Sequence, residues 1–298
     1  MRTSTIEAAG SRIRVIEEGT GDPAVLFIHG VGGWAENWSE VMERVAGSGR
    51  RAIAFDLPGF GESTPVRGAR YFDPGGAFYA TLVDHVRRAL DLERPHLVGH
   101  SLGTGVAFVT AVTYPDAFRS LTLVAPGGLG SDIAVFLRLW SLPGLPLVAR
   151  WPRPRSLRRA VLRSCFADPS RIPAHLFAEL DRYRDTDPET MRVMGQVATL
   201  RGVRSDLRAT WLSRAARFTG PVLAVWGGAD NVIPASHAVA LGTAIPGAVL
   251  EVIQDAGHLV MAERPDEFAR VLLPFLDRSE RAAASARTMV SGVAHQER

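Results

Sequence analysis

The sequence predicts an α/β fold: a mostly parallel central sheet with helices on both faces and a helical cap inserted into it. Two observations predict it. Short apolar runs alternate with helical patterns before residue 130 and again after 215. Each run ends in a turn-like or polar stretch, the boundary expected of strands buried in a parallel sheet.

Arg12 to Glu17 reads as an early strand. Ala24–Ile28 ends at His29-Gly30, Arg51–Phe55 at Asp56-Leu57-Pro58-Gly59, Pro95–Val98 at Gly99-His100-Ser101, and Leu121–Val124 at Ala125-Pro126-Gly127-Gly128. Helical patterns fill the gaps at Trp38–Val45, Phe78–Leu90 and Leu102–Tyr114. From 131 to 214 no strand-like run is expected. That insertion carries fifteen arginines against eight carboxylates, a net +7, which leaves −4 on the rest of the chain. The alternation then resumes with strands at Pro221–Trp226 and Ala248–Ile253 and helices at Ala235–Ala244 and Pro265–Leu276. Pro265 suits a first helical turn. The expected organisation is a core of 1–130 and 215–277, a cap of 131–214, and a flexible tail of 278–298.

Composition narrows the function. With 298 residues, 46% hydrophobic and 22% charged, the chain reads as globular. A formal net charge of +3, without a block of like charges, argues against nucleic-acid binding. Cys165 is the single cysteine, so neither an internal disulfide nor a multi-thiolate metal site can form. All 34 basic residues are arginine, which excludes a lysine base or Schiff base. No apolar run of signal-peptide length occupies Met1 to Gly10, and Arg138, Pro143 and Pro146 interrupt the most apolar stretch, Ile133–Trp151. The expectation is a cytoplasmic protein with no spanning segment. Ile133–Trp151, with Arg153, Arg155, Arg158 and Arg159, could give weak peripheral membrane contact.

Gly99-His100-Ser101-Leu102-Gly103 matches G-x-S-x-G between a strand and a helix, the context of a nucleophile elbow. Such a turn exposes the serine hydroxyl at a helix N-terminus, which favours developing negative charge. The serine needs a base, and the base needs an orienting carboxylate. Of His175, His237, His258 and His295, only His258 follows a strand directly in a glycine-containing loop. Asp230, just past the Pro221–Trp226 strand, is the preferred carboxylate, because ligands bind at strand carboxyl ends in open sheets. Asp255 and Asp206 are its rivals. The oxyanion donors expected are the backbone N–H groups of Val31 and Leu102. His29 is expected to be structural.

The chain resembles the α/β-hydrolase fold family, in the form of a cap-containing serine esterase or lipase or a meta-cleavage-product hydrolase. The resemblance rests on His29-Gly30-Val31-Gly32-Gly33, Asp56-Leu57-Pro58-Gly59-Phe60-Gly61-Glu62-Ser63, Gly99-His100-Ser101-Leu102-Gly103, Trp226-Gly227-Gly228-Ala229-Asp230 and Gly257-His258. It covers residues 10 to 130 and 215 to 277. It implies a triad, an oxyanion hole and a cap shaping the acyl pocket, with Phe136, Leu139, Trp140 and Leu142 as candidate lining. No metal or cofactor is implied. Serine in place of aspartate at the nucleophile position counts against dehalogenases and epoxide hydrolases. Leu259 stands where members that cleave carbon–carbon bonds often carry Trp, whereas Pro126-Gly127-Gly128-Leu129-Gly130 is similar to such members. The leading expectation is hydrolysis of a carboxylic ester or thioester of a small, largely apolar acyl group. The alternatives are carbon–carbon hydrolysis of a diketone acid, perhydrolysis or acyl transfer, and a non-enzymatic small-molecule receptor on the same fold.

Overall fold

The computed structural model describes residues 1–73, 76–148 and 154–296, the side chains of 148, 187 and 284–296 excepted. In chain order the first elements are β1 (Arg2–Ala8), β2 (Ser11–Glu18), β3 (Val25–Ile28), α1 (Ser39–Gly47), β4 (Ala52–Phe55), α2 (Ala77–Ala89), β5 (His96–His100), α3 (Leu102–Thr113) and β6 (Leu121–Val124). The cap follows: α4 (Val135–Trp140), α5 (Leu145–Val148), α6 (Arg155–Ser164), α7 (Ala174–Arg182), α8 (Asp187–Val197), β7 (Ala198–Thr199), β8 (Gly202–Val203) and α9 (Ser205–Arg214). The chain closes with β9 (Val222–Gly227), α10 (Ala238–Ala244), β10 (Val249–Ile253), α11 (Val260–Glu263) and α12 (Pro265–Gln296).

Eight strands form one sheet in the order β1-β2-β4-β3-β5-β6-β9-β10. The pairs β1–β2 and β2–β4 are antiparallel, and all others are parallel. Side chains alternate across it, as strand geometry dictates. Leu26, Ile28 and Leu97 pack against α2 and α3 on one face. Val25, Phe27 and Val98 pack against α1 and α12 on the other. Both faces are covered, so the central strands β3, β4, β5, β6 and β9 are buried at every position. This is why they read as continuous apolar runs.

Three elements depart from the sequence reading. Strand β1 was not anticipated: it is polar and alternating at a sheet edge. It joins β2 through Ala9 and Gly10, both at positive φ, in a two-residue hairpin. The cap contains a minimal hairpin, β7 with β8, too short for any periodic signal. Helix α12 continues through 278–296, where a tail was expected, because Ala and Arg are strong helix formers.

The cap rests on the core at two places. From α9, Trp211 stacks on Phe108 of α3, with ring centroids 5.2 Å apart. A Cβ on Gly105 would lie 2.3 Å from the Trp211 ring, so glycine is required there. On the other side Tyr183 meets Trp34, with centroids 5.6 Å apart, and its hydroxyl is 3.2 Å from the Arg14 guanidinium. Arg182 pairs with Glu62 beside it. Among the described residues no helix is long and apolar enough to cross a membrane. In the stretch considered for membrane contact, Val135, Leu139 and Leu147 are exposed. Arg155 and Arg159 share the Asp181 carboxylate, and Arg158 is buried. Trp151 and Arg153 lie outside the described residues.

Candidate active site

Ser101 sits between β5 and α3 at φ +52°, ψ −116°, a left-handed backbone that a non-glycine residue adopts only under constraint. The constraint is visible. The Ser101 N–H donates to the Val124 carbonyl at 2.9 Å, and its own carbonyl accepts from Thr104 N–H at 3.1 Å. Two flanking glycines permit the turn. A Cβ on Gly99 would lie 2.3 Å from the Gly103 carbonyl oxygen, and one on Gly103 would lie 2.4 Å from that of His29.

His258 lies in the loop between β10 and α11. Its Nδ1 is 2.8 Å from Asp230 Oδ2. The other Asp230 oxygen accepts from the N–H groups of Val232 at 2.7 Å and Ile233 at 2.9 Å. With the carboxylate fully engaged as an acceptor, Nδ1 carries the ring proton and Nε2 is left with its lone pair. The two rivals of Asp230 are elsewhere. Asp255 is exposed, and Asp206 is held by Arg204 at 2.6 Å. Of the other histidines, His175 faces Glu40 at 3.6 Å and His237 is buried near Gly130; the His295 side chain is outside the described set.

The loop after β3 is fixed by His29. Its Nε2 accepts from Leu57 N–H at 2.9 Å, so Nδ1 is the donor, to the Gly30 carbonyl at 2.7 Å. Gly33 N–H donates to the same carbonyl at 3.1 Å. In a trans peptide the next N–H points opposite to that carbonyl. The Val31 N–H is therefore turned away from its own loop. Neither it nor the Leu102 N–H makes a backbone hydrogen bond among the described residues outside regular elements. Burial pushes the His29 ring down to about 4, which keeps it neutral. Asp56, in the next loop, takes Ala35 N–H at 2.8 Å, Glu62 N–H at 3.0 Å and Arg14 at 3.3 Å. Burial pushes this carboxyl up to about 6.

Two cavities meet at Ser101. The first, about 110 Å³, holds His258, His100 and the Gly30–Gly33 loop, and is walled by Trp34, Phe136, Trp140, Arg158 and Tyr183. The second, about 70 Å³, is almost wholly apolar and includes Leu102. Val31 and Leu137 border both. Of the four pocket residues expected, Phe136 and Trp140 line the first cavity. Leu139 does not: it is 48% exposed, on the opposite face of α4 with Val135. Leu142, beyond the end of that helix, borders neither cavity. Leu137 takes the inward position instead.

The sequence reading missed Glu263. This buried carboxylate accepts Gly257 N–H at 2.7 Å, Ala167 N–H at 3.1 Å and Asp168 N–H at 2.7 Å. It braces the histidine loop against the cap, and nothing local marks it out in the sequence. Cys165 borders the first cavity, but burial and the Asp230 charge push its thiol up to about 12, which leaves it a poor nucleophile.

A family model described as the alpha/beta hydrolase fold matches residues 23–265. The chain belongs to the alpha/beta hydrolase family. A Cupriavidus necator protein named as the dihydrolipoyllysine-residue acetyltransferase component of an acetoin cleaving system is 33% identical over 265 residues. That match takes in 88% of this chain and 66% of the relative's length, so the alpha/beta hydrolase chain spans just under two thirds of it. A 2-hydroxy-6-oxononadienedioate/2-hydroxy-6-oxononatrienedioate hydrolase of Pseudomonas is 28% identical over 271 residues, covering 89% of this chain and 92% of the relative. Among solved structures, a meta-cleavage product hydrolase from Pseudomonas fluorescens superposes with a TM-score of 0.72 at 23% identity, covering 93% of this chain and 98% of that one. At that identity the likeness speaks for the alpha/beta hydrolase fold.

Proposed function

We propose that this alpha/beta hydrolase is a cofactor-free serine hydrolase that cleaves a carboxylic ester or thioester of a small, largely apolar acyl group through an acyl-enzyme. The observation that carries the reading is the 2.8 Å pair between His258 Nδ1 and Asp230 Oδ2, facing a cavity that Ser101 also lines. Ser101 Oγ attacks the carbonyl and His258 Nε2 takes its proton. The same imidazolium then protonates the leaving alcohol or thiol. Asp230 fixes the tautomer and stabilises the charged ring. The N–H groups of Val31 and Leu102 receive the oxyanion, each worth about 3–4 kcal/mol in the transition state. Water activated by His258 releases the acid.

The test is hydrolysis of p-nitrophenyl esters from acetate to palmitate by the protein and its Ser101→Ala variant. Turnover that disappears in the variant supports the reading, and the chain-length optimum measures the acyl pocket. Activity of equal size in both proteins, or none in either, rejects it. A second reading, carbon–carbon hydrolysis, is favoured by the activity for which the Pseudomonas relative is named. Turnover of a vinylogous diketone acid without turnover of any ester would establish that reading instead.

A further inference from the structure

Arg208 stands out among the arginines of the cap. It lies on α9 and borders the second cavity, whose other walls include Phe72, Leu137, Met194, Val197, Trp211 and Ile233. Among the described residues its Nε is buried with no hydrogen-bond partner. Among the described residues no carboxylate lies within ion-pair reach of its guanidinium. Other cap arginines show the usual arrangement: Arg155 and Arg159 hold Asp181, Arg192 holds Glu189, and Arg204 holds Asp206.

The acids that act with Arg208 on His237, and Asp206 on the same helix as Arg208, are already taken. Asp206 sits 2.6 Å from Arg204, Asp132 3.3 Å from Arg138, and Asp230 2.8 Å from His258. The neighbouring titratable ring is His237, itself buried, with Nδ1 unpartnered. Burial, with the Arg208 charge adding to it, holds this ring below its ordinary value and so neutral. Among the described residues, then, this apolar wall holds one cation with an unused donor and no counter-charge. Guanidinium is a planar fork that matches a carboxylate in two parallel hydrogen bonds. A half-buried cation without a partner gains most from an anion that arrives with the ligand.

We propose that Arg208 anchors a carboxylate at the far end of an apolar substrate chain, so that half-esters of dicarboxylic acids are bound in preference to neutral esters. This deepens the reading in which Ser101 is the nucleophile, because the same cavity reaches Ser101 and Leu102.

The test is equilibrium binding to the Ser101→Ala protein by titration calorimetry. Methyl half-esters from butanedioate to octanedioate are compared with methyl esters of the monocarboxylic acids of equal carbon number. At the best chain length the half-ester should bind about tenfold or more tightly. Adding Arg208→Gln should erase the preference, and Arg208→Lys, which keeps the charge but loses the fork, should retain part of it. Thermal melts of each variant establish that it is folded. Equal binding at every length, failure of every half-ester to bind, or a preference that survives Arg208→Gln overturns the proposal. Binding needs no turnover, whereas p-nitrophenyl ester hydrolysis by the protein with Ser101 intact tests the hydrolase reading. The two can therefore fail separately.

Discussion

His100 Nε2 lies 3.0 Å from the backbone carbonyl of His258, with the two rings 4.6 Å apart. A carbonyl only accepts, so His100 is the donor. Burial holds the His100 ring well below its ordinary value, and it stays neutral. Replacing it with Ala leaves the His258 carbonyl unpaired beside a new cavity. His100→Ala should lose about 1–3 kcal/mol of stability in urea unfolding. Under the proposed mechanism its kcat should fall, because His258 loses its seat.

Asp230→Asn replaces an acceptor by a group that can present N–H to His258 Nδ1. The imidazole would turn to the wrong tautomer with the geometry intact. Under the proposed mechanism kcat should drop about 10⁴-fold. A steady-state assay on the best p-nitrophenyl ester measures this, and a loss below about tenfold would remove Asp230 from the catalytic role.

His29 gives the stability a pH dependence of known sign. Its folded value, about 4, lies below the ordinary 6.5, because burial disfavours the charged ring. The stabilisation is complete above pH 6.5 and is lost as pH falls towards 4. The shift corresponds to about 3 kcal/mol. His96 and His100 are lowered too and act in the same direction. Urea unfolding of His29→Asn between pH 8 and 4 should therefore show a shallower loss than the parent, by about 3 kcal/mol.

Gly105→Ala would drive a Cβ into the Trp211 ring, and should destabilise the protein by about 1–3 kcal/mol. Trp211→Ala in the same chain removes the obstacle. The double variant should cost less than the sum of the two single ones, which a double-mutant cycle by thermal melting reads directly.

On α4, Trp140→Ala should raise KM or shift the preferred acyl length, because Trp140 borders the first cavity. Leu139→Ser, on the opposite exposed face, should leave both kinetics and stability within about 0.5 kcal/mol. Equal effects of the two changes would contradict the orientation of this helix.

The core strands, the turn at Ser101 and the pairing of His258 with Asp230 were legible because the local sequence marks them. Buried parallel strands must be apolar throughout, and the turn at Ser101 needs Gly99 and Gly103. The missed parts depend on contacts distant in sequence. Strand β1 takes its place from pairing with β2, and its side chains look like a polar terminus. Glu263 matters because Gly257, Ala167 and Asp168 converge on it, a meeting that only the fold creates. Leu139 and Leu142 border neither cavity, because an apolar composition tells neither which face of α4 looks inward nor that the helix stops before Leu142.

Glu263 also acts as a lever. One carboxylate grips both the loop that carries His258 and the Ala167–Asp168 segment between α6 and α7, with Oε2 shared by Gly257 and Ala167. Neither can shift by an ångström without tugging the other. Under the proposed mechanism, a substrate that pushed the Ala167–Asp168 segment aside would also slacken His258, and poor fit would be felt as slow chemistry as well as weak binding.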